Sequence, residues 1–242
     1  LVESILPLSP GWKYTHAPIL KETAGTSLLF DGSNDHVDAG NNSYWAPKIT
    51  DPNVSFSFWI RPAAQAQETI FQMGGANADL EAFLFNNLTL GGWIMYARMH
   101  DNSGNQSWVQ ADLSSAGQFT AGAWRHVAIS FGTGYPSVYI DGVDRTPSST
   151  SYKSNAGSAF AGPGTNGLRI GRKITYNFSA FAGHLADFAV FTKLLSSGEV
   201  STIYNGGRRL SSTGYLGITD IAGFWKLGDG DGAIGTTPTQ FT

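Results

Sequence analysis

The sequence has no cysteine, few charged residues and no long apolar run, and each of these shortages limits what the protein does. Without cysteine, the 242-residue chain forms neither a disulfide nor a thiolate metal site. Charged residues make up 14% of the chain, against about 25% in an average globular protein, which indicates a weakly charged surface. No apolar run approaches the roughly 20 residues that a membrane-spanning helix requires, so we expect no membrane span.

Positive charge is also scarce, because the formal net charge is −3 at pH 7. A nucleic-acid-binding surface needs a basic stripe that neutralises phosphates, and the scattered basic residues do not supply one, even at Arg208 and Arg209. We therefore expect no nucleic-acid partner.

Glycine is abundant, with 30 in 242 positions against an average share of about 7%, which favours many tight turns. Between these turns apolar and polar residues alternate, as in half-buried β-strands. The run VSFSFWIR at 54–61 is the clearest example. The main strands predicted in this way lie at 27–30, 54–61, 69–73, 83–90, 93–99, 107–113, 124–131, 138–140, 168–171, 185–191 and 223–227.

Two further patterns complete the prediction of the fold. Ser196 and Glu199 have the S-x-x-E spacing of a capping box, which predicts a helix over 197–204 that ends at Asn205. The stretch 147–167 is rich in Ser, Gly and Ala without periodicity, and we interpret it as a long loop. The sequence thus predicts an all-β, two-sheet antiparallel sandwich with one short helix over 27–242, preceded by an N-terminal extension or docking arm at 1–26.

Six segments follow one another in a characteristic order. They are SLLFDGSNDHVDAG, VSFSFWIRP, ETIFQMGG, AWRHVAISF with SVYIDGV, LRIGR with FAGHLADFAVFTKLLSSGEVSTIYNGG, and GFWKLGDGDG. Their order resembles the laminin-G-like jelly-roll family of the concanavalin-A-like lectin/glucanase superfamily. The resemblance implies a concanavalin-A-like jelly roll. It implies fold more firmly than activity, because many unrelated functions share this sandwich.

The resemblance also bears on calcium, which takes 6–8 oxygen ligands. The densest group of oxygen-bearing side chains consists of Asp31, Asn34, Asp35 and Asp38. Members of the family often bind calcium at this loop, which implies a calcium ion at Asp31 and Asp35 with backbone carbonyls. However, the family's later acidic position is Ala186 here, and Asp and Asn also favour a turn without any metal. Asp229 and Asp231 form a second candidate pair.

A sugar site combines an aromatic ring with amide, carboxylate or Arg groups that bind hydroxyls. The segment from Trp93 to Trp108 supplies such residues, and alternation places Tyr96, Arg98 and His100 on the face away from Trp93. A later loop offers a second ring. The predicted ligand-binding residues are Tyr96, Arg98, Asp101, Asn105 and Tyr176.

Catalytic patterns are missing from the sequence. A retaining glycosidase of this shape needs two carboxylates about 5–5.5 Å apart, usually from E-x-D-x-x-E on one strand. Glu68, Glu81 and Glu199 are far apart in sequence, and Glu199 is explained as a helix cap. The Arg, Gln-x-His and Tyr motifs of polysaccharide lyases, G-x-S-x-G, H-E-x-x-H and a phosphate loop are also missing. We interpret His126 and His184 as structural.

We therefore favour a non-catalytic carbohydrate-binding or adhesion domain of an extracellular or surface protein, with a glycan or glycoprotein surface as its partner. The alternative is a structural assembly protein, such as a virion decoration or fibre component or an extracellular filament subunit, whose segment 1–20 docks on a neighbour. A glucanase or lyase is the least favoured reading. A glycan array distinguishes the first two.

Overall fold

A computed structural model describes residues 13–14, 27–49, 52–63, 67–75, 78–87, 92–101, 103, 105–113, 120–155, 166–174, 180–207 and 218–227. The strands in these residues are β1 (Lys13–Tyr14), β2 (Leu28–Asp31), β3 (Val37–Asp38), β4 (Val54–Pro62), β5 (Glu68–Gly75), β6 (Ala78–Asn87), β7 (Gly92–His100), β8 (Gln106–Asp112), β9 (Arg125–Phe131), β10 (Ser137–Ile140), β11 (Val143–Asp144), β12 (Lys153–Asn155), β13 (Leu168–Ile170), β14 (Ala182–Phe191) and β15 (Ile221–Trp225). The helices are α1 (Asn42–Trp45) and α2 (Ser197–Tyr204), with 3-10 turns at Thr150–Tyr152 and Asn205–Gly207.

The strands form two antiparallel sheets that face each other. The first has eight strands in the order β1-β3-β13-β5-β6-β7-β8-β12. The second has seven strands in the order β11-β10-β9-β4-β14-β15, with β2 also paired to β14. This arrangement confirms the predicted all-β sandwich with one short helix in its C-terminal third.

The core lies between the two sheets and is built by the alternation seen in the sequence. Phe56 and Phe58 on β4 are fully buried, and their rings meet those of Phe71 on β5 and Phe188 on β14. The Phe56 and Phe71 ring centroids are 4.2 Å apart across the two sheets. Such ring pairs stabilise a core by about 0.5–1.5 kcal/mol beyond the burial of their area.

The helix α2 covers the outer face of the seven-stranded sheet. Both halves of the predicted capping box are present at Ser196 and Glu199, and Asn205 ends the helix in the left-handed conformation at φ 50°. Val200 and Ile203 of α2 belong to a second cluster of buried apolar residues on this face. No helix in the described part of the chain has the length and apolar character needed to cross a membrane.

The predicted hairpin at Asp141 and Gly142 is confirmed. Both residues adopt positive φ angles, 51° and 77°, between β10 and β11. This is the conformation that a two-residue hairpin turn of right-handed twist requires, and glycine adopts it without strain.

Three parts of the prediction need correction or completion. The stretch 147–167 is not wholly a loop, because a 3-10 turn at Thr150–Tyr152 leads into β12, which pairs with β8. The strand β6 begins at Ala78, five residues before the predicted start. Within the predicted N-terminal arm, Lys13–Tyr14 pairs with β3, and the rest of 1–26 lies outside the described residues.

Candidate functional site

A row of side chains crosses the outer face of the eight-stranded sheet. The strand register aligns Gln72 on β5 with Glu81 on β6, Arg98 on β7 and Trp108 on β8. Directly opposite residues of paired strands share one face. Because the next residue along β7, Met99, is buried in the core, this row points away from the core.

Glu81 is the buried centre of this row. Its side chain is only 1% exposed, and it forms ion pairs with two cations. Arg98 contacts one carboxylate oxygen through Nη2, and Lys173, which follows β13, places Nζ 2.9 Å from the other. A carboxylate that has left water requires such partners, and the two ion pairs meet this requirement.

Asp79 lies two residues before Glu81 and shares its face of β6. His100 Nδ1 is 2.5 Å from one Asp79 oxygen, and Gln72 Nε2 donates to the other at 2.6 Å. The backbone N–H of Ile174 in turn donates to Gln72 Oε1 at 2.6 Å. Burial alone would raise the pKa of Asp79, but the hydrogen bonds from His100 and Gln72 outweigh it and lower that pKa below its ordinary value.

These side chains form one connected group on the outer face. We call it the polar cluster; its members are Gln72, Asp79, Glu81, Arg98, His100 and Lys173. Strands β5, β6 and β7 hold five of them and the segment after β13 holds the sixth. Four neighbouring parts of the sheet therefore fix the geometry of the cluster.

Three aromatic side chains lie beside the polar cluster. Phe83 and Tyr96 stack with ring centroids 4.6 Å apart, and Tyr96 stacks on Trp108 at 5.7 Å. We call Phe83, Tyr96 and Trp108 the aromatic ladder. Since Phe83 and Trp108 lie on strands either side of Tyr96, both faces of the Tyr96 ring are covered, and it does not offer the open plane that the sequence prediction assigned to it.

The structure also revises Arg98. The sequence prediction placed it on the outer face as a ligand-binding residue. Its side chain is 22% exposed and bound to the buried Glu81, so it contributes to the fold as well as to the surface. The predicted placement of Tyr96, Arg98 and His100 on one face, with Met95, Ala97 and Met99 in the core, is confirmed.

Asp101 and Asn105 lie in the β7–β8 turn at the end of this face, as the strand pairing predicts. Asp101 Oδ1 accepts the backbone N–H groups of Ser103 and Asn105, both at 2.8 Å, and Asn105 Nδ2 donates to Asp101 Oδ2 at 2.7 Å. These groups therefore bind one another and hold the turn. Tyr176 lies outside the described residues.

In the loop where the sequence predicted calcium, the carboxylates also bind backbone N–H groups of their own turn. Asp31 Oδ1 accepts the backbone N–H of Ser33 at 2.7 Å, and Asp35 Oδ2 accepts that of Asp31 at 3.0 Å. The described residues contain no group of three or more His, Asp or Glu side chains arranged for a metal. The second candidate pair, Asp229 and Asp231, lies outside the described residues.

The acidic residues considered for catalysis do not meet. Glu68 lies opposite the core residue Leu84, whereas Glu199 caps α2 on the other sheet. The histidines have structural partners: His126 Nε2 is 2.9 Å from Ser57 Oγ, and His184 Nδ1 is 3.0 Å from Ser27 Oγ.

Sequence reasoning placed two of the six residues of the polar cluster, Arg98 and His100, on this face and missed the other four. Asp79 and Glu81 have the i, i+2 spacing that places two side chains on one face of a strand, but the strand was predicted to begin only at Phe83. A predicted strand that began at Ala78 would have shown that Asp79 and Glu81 share one face. Strand order brings Gln72 to the cluster, and the segment after β13 brings Lys173. No local pattern in the sequence indicates either residue.

Comparison with known proteins gives the family. Residues 31–201, more than two thirds of the chain, match the Laminin_G_3 family of the concanavalin A-like lectin/glucanases superfamily. The chain belongs to this family. No curated protein matches it. As a Laminin_G_3 protein it has the predicted jelly-roll fold, and the matched region includes the whole polar cluster and the aromatic ladder.

Solved structures show the same fold at low sequence identity. A heptameric SAP-like pentraxin from Limulus polyphemus is 15% identical, with a TM-score of 0.55 over 74% of this chain and 81% of that one. Domain 4 of an extracellular arabinanase from Geobacillus stearothermophilus, in complex with arabinotriose, is 15% identical, with a TM-score of 0.51 over 80% and 81%. The ligand-binding domain of botulinum neurotoxin serotype D, in complex with N-acetylneuraminic acid, is 18% identical, with a TM-score of 0.52 over 81% and 44%.

Proposed function

We propose that this Laminin_G_3 domain binds glycan, without catalysis, on the outer face of its eight-stranded sheet. The polar cluster supplies the hydrogen-bonding groups, and the aromatic ladder borders them. One observation carries the proposal: six polar side chains are joined by hydrogen bonds and ion pairs on the outer face of one sheet. A domain that served only as a scaffold would not require such a network there. Buried polar groups cost stability unless they are paired, so such a network on a sheet face favours a binding role.

The chemistry of the cluster suits sugar hydroxyls. Planar amide, carboxylate and guanidinium groups bind hydroxyl pairs, and aromatic side chains pack against the apolar parts of a sugar. In this cluster the guanidinium of Arg98 and the ammonium of Lys173 are partly exposed, and the buried carboxylate of Glu81 holds both in place, which reduces the entropy lost on binding. Trp108, at the β8 end of the ladder, lies opposite the small Ser154 of β12 in the register and has the largest ring system of the three.

The state of the two carboxylates supports binding rather than catalysis. A glycosidase needs one carboxyl group with a raised pKa as the acid and a second group as nucleophile or base. The pKa of Asp79 is lowered, which disfavours its use as an acid. Glu81 has a cation at each oxygen, which leaves neither oxygen open for attack.

The structural neighbours support the same proposal, since one is in complex with arabinotriose and another with N-acetylneuraminic acid. The family and these neighbours also favour an extracellular or surface location, which we include in the proposal. A site with few stacking contacts gives weak binding. We expect a dissociation constant of about 0.1–1 mM per site, so that adhesion depends on multivalent display.

A glycan array probed with the multimerised protein tests the proposal. We expect selective binding that Arg98→Gln reduces at least tenfold. Arg125→Gln is the matched control, because Arg125 also pairs with a carboxylate, that of Asp141, and has a similarly exposed side chain, but lies on the other sheet. Absence of binding by the folded protein, or equal loss in the two variants, would contradict the proposal.

A further inference from the structure

We infer that the outer face of the seven-stranded sheet carries a second binding site, which takes a single sugar residue bearing a carboxylate or a sulfate group. The site consists of Arg61, Trp124 and His184, and we call it the arginine site. It lies on the other sheet from the polar cluster, so it is independent of the proposed function.

Strand register brings the residues of the arginine site together. Arg61 of β4 lies opposite His184 of β14, which in turn lies opposite Leu29 of β2. Trp124 directly precedes β9, whose pairing with β4 places it next to Arg61 in the same row. Because Ile60, the preceding residue of β4, is buried in the core, the row points outward. The ring centroids of Trp124 and His184 are 6.1 Å apart.

Arg61 supplies the positive charge of the site, and no described residue forms an ion pair with it. The neighbouring Arg125, in contrast, pairs with Asp141 at 3.0 Å. Asp31, at the end of β2, accepts backbone N–H groups of its own turn. Arg61 is partly buried, and a guanidinium that has lost part of its water without gaining a carboxylate favours an anionic ligand.

His184 adds a neutral hydrogen-bonding group beside this charge. Burial lowers the pKa of His184 below its ordinary value, and the positive charge of Arg61 acts in the same direction. The imidazole is therefore neutral at pH 7. Its Nδ1 lies 3.0 Å from Ser27 Oγ, so Nε2 is the ring nitrogen that can bind a sugar hydroxyl.

The exposed ring of Trp124 favours a sugar over a peptide. Trp124 is 36% exposed, and the apolar face of a sugar packs on such a ring while its anionic group meets the guanidinium of Arg61. A peptide strand would need an unpaired edge, but β4 is already hydrogen-bonded on both sides, to β9 and β14. One exposed ring beside one cation matches one charged sugar residue.

The test is an NMR titration of the isotopically labelled domain with methyl glucuronide, sulfated methyl glucoside and neutral methyl glucoside. We expect at least one acidic sugar to shift the Trp124 indole and His184 ring signals, with a dissociation constant of about 1–10 mM. It should bind at least tenfold more tightly than the neutral sugar. Added salt should reduce this difference, since partly exposed charges are screened. The two acidic sugars distinguish a carboxylate from a sulfate ligand.

Arg61→Gln should weaken binding of the acidic sugar at least tenfold. It should leave the melting temperature unchanged or raise it, because it removes a cation that no carboxylate balances, whereas a purely structural Arg61 would lower it. Arg125→Gln is the matched control, since it removes the same charge next to Trp124 from a residue that already has a partner. This control should retain binding. Trp124→Ala, a change at an exposed residue, should also weaken binding and provides a second test.

Three results would overturn the inference. The first is equal binding of the acidic and neutral sugars, or acidic-sugar binding that survives Arg61→Gln. The second is a set of shifts confined to residues from Tyr96 to His100, which would place the acidic sugar at the polar cluster. The third is competition by inorganic sulfate as strong as that by the sulfated sugar, or tighter binding of a tetraglutamate peptide at the same signals, since either would reject a sugar as the ligand.

Discussion

Glu68 is expected to make the stability of this domain depend on pH between about 4.5 and 7. The residue begins β5, faces the core side of the sheet opposite Leu84, and is only 3% exposed. Among the described residues, its Oε2 has no hydrogen-bond partner. Burial raises the pKa of Glu68 from 4.5 to about 7, and a hydrogen bond from the backbone of Ala182 only partly offsets this effect.

The sign of the effect follows from proton binding. Between pH 4.5 and pH 7 the folded protein holds the Glu68 proton and the unfolded chain releases it, so stability falls as the pH rises. At 1.36 kcal/mol per pH unit, the loss between pH 5 and pH 8 is about 2.5 kcal/mol. Glu68→Gln has nearly the same shape and cannot ionise, and its Oε1 still accepts the Ala182 N–H.

Urea unfolding followed by tryptophan fluorescence at pH 5 and pH 8 measures this effect. The stability of Glu68→Gln relative to the natural chain should increase by about 2.5 kcal/mol from pH 5 to pH 8, while the other titrating groups cancel in the difference. A stability difference that does not change with pH would show that Glu68 ionises normally in the folded state, and would refute the reasoning.

Three further predictions concern other parts of the fold. Glu199→Gln should have the opposite pH dependence, because hydrogen bonds from Lys193 and the Ser196 backbone lower the pKa of Glu199 to about 2. The variant should therefore melt at a lower temperature than the natural chain at pH 7, and the two melting temperatures should converge towards pH 2. His126→Ala should lower the free energy of unfolding at pH 7 by about 2–4 kcal/mol, since it leaves a cavity and an unpaired Ser57 hydroxyl. Because burial lowers the pKa of His126 to about 3, this variant should also lose less stability than the natural chain as the pH falls below 6.5; equal losses would contradict the assignment. If calcium binds at Asp31 and Asp35, millimolar calcium should raise the melting temperature and Asp31→Ala should abolish the shift, whereas no shift in the natural chain would reject the metal.

The alternation of residues was enough to predict the sandwich, because burial of one face imposes a period of two on every core strand. Phe56 and Phe58 are typical, and both lie where the pattern places them. Two short strands were missed, since β3 and β12 have two and three residues and do not repeat a period. Their pairing depends on neighbours that are distant in the chain.

The candidate site was predicted only where it lies on one strand. Alternation along β7 located Arg98 and His100 correctly, but it contains no information about which strands lie beside β7. Glu81 meets Arg98 through the sheet order, and Lys173 meets Glu81 from the segment after β13. The covered faces of the Tyr96 ring likewise result from side chains on two adjacent strands. Such contacts between strands determine which groups the proposed site presents.

The most direct test of the proposed site is an NMR titration of the isotopically labelled domain with the strongest glycan from the array. The account predicts that the amide signals which shift belong to residues around Asp79 and Glu81, from Tyr96 to His100, around Trp108 and at Lys173. Shifts confined to the outer face of the seven-stranded sheet, around Trp59 and α2, would contradict it.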